Sequence, residues 1–236
     1  MHLVVGLGNP GREYASHRHN VGFLVLDALA SVCRADPWRE KFSAEHTRAR
    51  LGDAADEPSV LLKPMTYMNE SGRSVQPAAA FFKVPVARVI VVHDELDLPF
   101  GTLRVKQGGG HAGHNGLRSL IQRLGSSDFV RLRFGIGRPP PGFRGEVADF
   151  VLSSFDAAER AELAGKLDEA VRIVRDVAAR GPAAVANVQN ERPKAQKAKA
   201  PRAPKQATGA PADGSSGEKQ APSPAQGGEP REPEGR

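Results

Sequence analysis

The stretch "RVIVVHD", residues 88–94, constrains the fold more than any other part of the chain. A strand with one wet face alternates apolar and polar residues. Four consecutive β-branched residues, Val89 to Val92, are apolar on both faces, which suits the middle of a sheet covered by helices on each side. The polar pair His93-Asp94 follows at once, where such a strand would end.

The rest of the first 188 or so residues fits that frame. Short β-branched runs at 3–7, 46–51, 59–63, 102–106 and 130–137 read as further strands. Helical patterns cover about 20–33, 70–83, 115–124 and 156–180. In the last, Leu163, Leu167, Val171, Val174 and Ala178 recur at three- and four-residue spacing, Asp156 stands at the cap position, and Gly181-Pro182 reads as the stop. The alternation predicts α/β class: a single three-layer α/β/α domain around a mixed, mostly parallel sheet, spanning residues 1–190.

Composition changes abruptly after that. Residues 191–236 contain no aromatic residue and almost no large aliphatic one, so they cannot bury enough apolar surface to offset their ordering entropy. They read as a disordered tail rich in Pro, Ala, Lys and Gly. From Arg192 onward there are nine Lys+Arg and five Asp+Glu, which leaves 24 and 22 of the totals of 33 and 27 for the remainder. The folded part is therefore nearly neutral, and bulk charge alone is weak evidence for a polyanionic partner. Six bases without an acid between 192 and 205 make the tail either a solubilising segment or an RNA-tethering arm. No apolar run is long enough to span a bilayer, and the N-terminus runs straight into a glycine turn without the pattern of a signal peptide. A cytoplasmic protein is expected. The lone cysteine, Cys33, lies in an apolar helical pattern and reads as a buried small residue.

The candidate chemistries narrow by elimination. "GLGNPG" (6–11) spells a dinucleotide fingerprint, but no helix opens at its third glycine and no acidic residue ends a plausible second strand. The glycine-rich "GGGHAGHNG" (108–116) lacks the G-K-[ST] of a phosphate loop. Its His111 and His114, even with His93 and Asp94, form a loosely held H-x-x-H without the Glu of a metalloprotease. There is no G-x-S-x-G elbow. If the chain hydrolyses anything, water is the expected nucleophile and a histidine the base. What stands out is a set of polar residues at loop positions beside strand ends: Asn9, His19, Asn69, His93-Asp94 and His114-Asn115. Ligand sites of open α/β sheets lie there. Each has a plain alternative as a turn or cap residue, including Asn115 as the N-cap of the next helix. The case rests on their number together.

At these residues the chain resembles the bacterial peptidyl-tRNA hydrolase family. The likeness covers about residues 2–188 through "VGLGNPGREYASHRHNVGF", "LLKPMTYMNESG", "VVHDELDLPFGTLRVKQGGGHAGHNGLRSL" and "RLRFGIGRP", in the family's order. The resemblance implies an enzyme that cleaves the ester between peptide and tRNA, recycling prematurely released peptidyl-tRNA, without metal or organic cofactor, as a monomer. It implies His19 as the base that takes a proton from water, a task suited to an imidazole near neutral pH. It implies Asp94 as the carboxylate orienting that imidazole. Asn9, Asn69 and Asn115 are then the amides lining the site, with Tyr14, Met68 and His114 shaping the substrate groove. The glycine-rich loop becomes a substrate clamp. Lys106 and Arg133 match residues that bind the 5′-phosphate and acceptor stem of tRNA; read from their strands alone, they are charges that block edge pairing. The chain departs from the family's pattern in its tail. Two other functions stay in view: a non-catalytic RNA-binding module and a metal-dependent amidase.

Overall fold

The computed structural model describes residues 1–52 and 58–191, with residues 187–191 described by backbone alone. Strand β5 (Val89–Glu95) lies inside the sheet, with β1 (Leu3–Gly6) parallel on one side and β7 (Val130–Gly135) parallel on the other. β4 (Ser59–Pro64) extends the parallel set beyond β1. The full order is β2-β3-β4-β1-β5-β7-β6, with β2 (Arg39–Lys41), β3 (Ala44–Ala49) and β6 (Leu103–Gln107) joined through antiparallel ladders. Only β3 and β6 run against the common direction among the described strands, so the sheet is mixed and mostly parallel, as the pattern predicted.

Residues along the central strands divide between two cores. Val4, Leu61, Ile90 and Val92 face one core, shared with α1 (Val21–Val32) and α5 (Ala157–Arg180). Leu3, Val5, Val89 and Val91 face the other, shared with α2 (Gly72–Phe81) and α3 (Asn115–Leu124). This is why β5 reads as apolar on both faces. Each fully buried Val or Ile of this strand contributes about 1.5–3 kcal/mol relative to exposure.

The expected helices and six of the seven strands fall where the periodicity places them, with ends shifted by a few residues. Three elements were not legible. β2 carries Arg39, Glu40 and Lys41, all exposed, and so shows no apolar alternation. A fourth helix, α4 (Val147–Val151), is a single turn after the proline-rich segment 138–145, capped reciprocally by Glu146 and Asp149. Gly181 does end α5, with φ of 80°, but Pro182 then opens a further helix, α6 (Pro182–Glu191). Proline is well suited to a first helical position, where its missing N–H costs nothing, so the Gly-Pro pair marks a break between two helices rather than the end of helical structure. α6 reaches Glu191, the first residue of the expected tail, and the remainder of that tail, 192–236, lies outside the described residues.

The contact that matters most for the site is the crossing of α1 over β1 and β5. A methyl group on Gly22 would stand 2.4 Å from the Leu7 amide nitrogen and 2.6 Å from the Val92 carbonyl oxygen; one on Gly6 would stand 2.3 Å from the Gly22 carbonyl oxygen. Backbone meets backbone there, and nothing can move aside. That approach seats the start of α1, and the residues just before it, above the carboxyl ends of β1 and β5. Gly22→Ala is expected to lower stability by about 1–3 kcal/mol, the usual scale of overpacking, measured as a shift in the urea unfolding midpoint. An unchanged midpoint would show that the helix tolerates a wider crossing.

Candidate active site

His19 sits in a short 3-10 turn, Arg18–Asn20, directly before α1. Its neighbours hold it on both sides. Arg18 is buried, donates to Ser153 Oγ, to the Ser154 carbonyl and to Glu159, and lies over the Phe150 ring. Asn20 is buried too. Its side-chain oxygen accepts from the Asn9 backbone N–H at 2.9 Å, and its Nδ2 donates to the Asn9 carbonyl at 2.8 Å. The turn carrying the imidazole is thus tied to α5 by one flank and to the β1 loop by the other. No sequence signal marks either residue: Asn20 stands where the helical pattern begins, and Arg18 just before it.

The carboxylate of Asp94, at the carboxyl end of β5, is almost fully buried. Its Oδ1 lies 2.8 Å from His19 Nδ1 and 3.0 Å from His114 Nε2. An ionised carboxylate only accepts, so both ring nitrogens donate to it. For His114 the other nitrogen confirms the tautomer, because Nδ1 accepts from the backbone N–H groups of Gly116 and Leu117 and caps α3. For His19 the arrangement leaves Nε2 as an unprotonated lone pair without a partner among the described residues. Burial pushes the Asp94 carboxyl up, but the two facing imidazoles and their hydrogen bonds outweigh it and hold it well below the usual carboxylate range. Burial pulls the His19 imidazole down, yet the Asp94 charge and hydrogen bond leave it above its ordinary 6.5. His93 is fully enclosed. Burial, with His114 beside it, drives it down to about 3, so it stays neutral and donates its Nδ1–H to the Asp94 carbonyl.

These groups form one wall of a cleft of about 780 Å³. Asn9, Asn69 and Asn115 line the same cleft, with Tyr14 and Met68. Asn9 accepts the Met68 N–H at 2.7 Å through Oδ1, which leaves its Nδ2 without a partner among the described residues. An apolar stretch of the wall is built from Leu96, Val147, Val151 and Leu152, alongside the charged Glu95, Asp97, Arg118 and Arg138 and the exposed Tyr67. That stretch comes largely from α4 and went unread in the sequence, because a five-residue helix behind a proline run has too few residues to show a period.

Two expectations change. His114 is not loosely held on its glycine loop but is fixed at both nitrogens, and it, rather than Asn115, is the N-cap of α3. The glycines of "GLGNPG" serve no helix N-terminus: after Gly11 comes a 3-10 turn, Arg12–Tyr14, and α1 opens only at Val21. Lys106 and Arg133 do not line the cleft. Lys106 is exposed on the edge strand β6, while Arg133 is half-buried on β7 and paired with Glu95 at 2.8 Å. The strand register sets Arg104 beside Arg133 and Lys106 beside Arg131, four cations on alternate rungs with Val105 and Leu132 between.

His19, Asp94 and His114 are also the one set of metal-capable side chains brought together among the described residues, with ligand atoms within 4.8 Å of one another. The geometry does not favour an ion. Coordination through His114 Nε2 would move its proton to Nδ1, which would then face two backbone N–H donors.

A histidine backed by a buried carboxylate, at the carboxyl ends of parallel strands and beside a row of neutral amides, defines a hydrolase-type α/β site with no nucleophilic side chain in view. The peptidyl-tRNA hydrolase family model matches residues 3–199. The chain is 66% identical over 197 residues to peptidyl-tRNA hydrolase of Sorangium cellulosum, covering 84% of this chain and 87% of that one. It is 47% identical over 192 residues to that of Geobacter sulfurreducens, covering 80% and 95%. The crystal structure of peptidyl-tRNA hydrolase from Acinetobacter baumannii superposes with a TM-score of 0.72 at 37% identity, covering 81% of this chain and 95% of that one. The chain belongs to the peptidyl-tRNA hydrolase family.

The direction of the His19 shift has a kinetic consequence. In the general-base role proposed below for His19, the neutral imidazole is the active form, so a raised pKa moves the acid limb of kcat/KM upward, and that limb is expected above pH 6.5. Asp94→Asn removes the raising charge while burial remains, so the limb should move to lower pH even as turnover falls. A pH–rate profile of both proteins checks this; an acid limb that stays in place in the variant would uncouple the two groups.

Proposed function

We propose that this chain hydrolyses the ester joining peptide to tRNA in peptidyl-tRNA, with His19 as general base, releasing free tRNA and peptide. The observation that carries the mechanism is the 2.8 Å contact between His19 Nδ1 and Asp94 Oδ1, which leaves Nε2 as the lone pair available to water.

The steps follow from the groups at hand. Substrate lies in the cleft with the scissile carbonyl near His19. A water positioned by Nε2 attacks the carbonyl carbon, and its proton passes to the imidazole as the C–O bond forms. The resulting imidazolium is stabilised by Asp94, whose carboxylate is already ionised and needs no reorganisation. His114, donating to the same oxygen, keeps Asp94 in place without competing for the proton in flight. The negative charge on the carbonyl oxygen is met by a side-chain amide, a role we give to Asn9, whose Oδ1 is held by the Met68 N–H while its NH2 stays unengaged; Asn69 and Asn115 share substrate contact. When the tetrahedral species collapses, the imidazolium returns its proton to the departing ribose oxygen. The peptide then leaves as a carboxylic acid that ionises in water.

A peptide of arbitrary sequence calls for contacts to its backbone and for an undemanding apolar surface. The amides and Met68 suit the first, and the α4 wall with Tyr14 nearby suits the second. The paired cations of β6 and β7 do not line the cleft, though Arg133 holds Glu95, which does. We assign Lys106, with Arg133, to phosphates of the tRNA acceptor stem, a role for which cations outside the reacting centre are suited. One chain supplies every group of the cleft, so a monomer suffices. No helix among the described residues is long and apolar enough to cross a membrane, and we place the protein in the cytoplasm with its substrate.

His19→Ala is expected to lower kcat by about 10²–10⁴-fold with KM little changed, the range of a lost general base; Asp94→Asn should fall less far. Both are measured by release of tRNA from an N-acylated aminoacyl-tRNA. A chelator should leave the rate unchanged, and activity restored by zinc after chelation would return the metal-dependent reading. Residues 191–236 we regard as a tail apart from the catalytic domain. A chain ending at residue 193 should keep kcat on short substrates within about threefold, since it retains every group of the cleft. A protein that binds the substrate without cleaving it would be the RNA-binding module.

A further inference from the structure

β7 carries a buried charge that the reaction above does not use. Arg131 is 4% exposed, and its guanidinium stacks on the Phe129 ring at 4.7 Å. Its two terminal nitrogens donate to no carboxylate. They donate to the backbone carbonyls of Gly109 and Gly110, two consecutive peptide units. Burial lowers the guanidinium's pKa and the like charge of Arg133 adds to that, with Glu95 offsetting in part. Buried guanidinium groups ordinarily face a carboxylate or phosphate. Here carbonyl dipoles stand in for one, an arrangement whose evident product is a grip on the chain at that point.

The gripped segment cannot hold itself by regular structure. Gly108, Gly109, Ala112 and Gly113 all have positive φ, between 46° and 98°, so no ladder continues through them. Its other backbone ties lie at its ends: Gly108 donates to the Phe129 carbonyl, and His114 and Gly113 both donate back to His111. Just before it on the chain is Lys106, whose Nζ lies 3.0 Å from where a Cβ on Gly109 would stand. Just after it are His114, bonded to Asp94, and Asn115 of the cleft. The segment is a strap with functional groups at both ends and a cation under its middle.

We propose that Arg131 is a positioning residue for the reaction: by holding the Gly109 and Gly110 carbonyls it keeps the strap 108–113 ordered before substrate arrives, so that Lys106 on one side and Asn115 on the other are already spaced for one ligand. The inference rests on the hydrolase reading, and it differs from an ordinary fold-stabilising role in where its loss is felt. Without the grip, a glycine-rich strap regains conformational freedom that binding must then remove. The cost falls on substrate affinity, while the His19–Asp94 pair is untouched.

The test uses the full chain with Arg131→Met and Arg131→Lys. Amide hydrogen exchange is followed at 108–114 and in β5, alongside kcat, KM and the pH profile on N-acylated aminoacyl-tRNA. In Arg131→Met, exchange of the strap should rise about tenfold or more while β5 protection holds. KM should rise about tenfold with kcat within about threefold and the acid limb unmoved. Arg131→Lys, with one ammonium for two carbonyls, should fall between. Unchanged strap protection in a folded variant would overturn the proposal, as would exchange rising in step across strap and β5, or a loss confined to kcat. If Arg131→Met does not fold, Arg131→Lys decides by the same local exchange. Should the unmodified chain release no tRNA, the hydrolase reading fails, while the exchange comparison still judges the strap.

Discussion

A single oxygen atom, Asp94 Oδ1, accepts hydrogen bonds from two imidazoles inside the protein. A buried carboxylate is costly unless its charge is met, and here both donors also act elsewhere. His19 turns its second nitrogen to the cleft, and His114 turns its own to the amides that open α3. Removing either ring would leave a buried charge half satisfied. The carboxylate therefore links the His19 imidazole to the helix that carries Asn115, and the two sides of the polar wall are not independent.

That link works only because the surrounding backbone is held to tight tolerances. The crossing of α1 over β1 and β5, where Gly6 and Gly22 leave room for no methyl group, sets the height of the turn bearing His19. Arg18 then fixes the turn to the start of α5, and Asn20 to the Asn9 loop. Asn9 in turn holds the Met68 amide. Two buried sets of hydrogen bonds, Asn20–Asn9–Met68 and His19–Asp94–His114, thus meet where His19 and Asn20 adjoin along the chain. For the general-base role we propose for His19, placement within a fraction of an ångström matters more than an unusual pKa.

The cleft joins polar groups to an apolar stretch, and the origins of the two follow the fold. The polar groups come from loops at the carboxyl ends of parallel strands, where backbone and side-chain dipoles converge. The apolar stretch comes largely from α4, a single turn hung between the proline-rich segment and α5. The paired cations of β6 and β7 line neither. The groups we propose for bond cleavage thus sit at the parallel centre of the sheet, and those we propose for the tRNA at its antiparallel edge.

Much of this was legible before any coordinates. Four β-branched residues in a row at 89–92 require a sheet covered on both faces, and the Leu163-to-Ala178 stripe requires a helix with one buried side, because apolar burial imposes its period on sequence locally. The polar residues at strand ends, Asn9, His19, Asn69, Asp94 and His114-Asn115, could be picked out for the same reason, since they interrupt apolar runs where a strand must stop. What sequence could not show is which of them touch. That depends on strand order, and setting β1 between β4 and β5 is a long-range choice with no local period. The sharing of one Asp94 oxygen by two histidines, the capping of α3 by His114, and the grip of Arg131 on two glycine carbonyls join residues distant along the chain. They were decided only when the tertiary structure brought buried charge and its partners within hydrogen-bond reach.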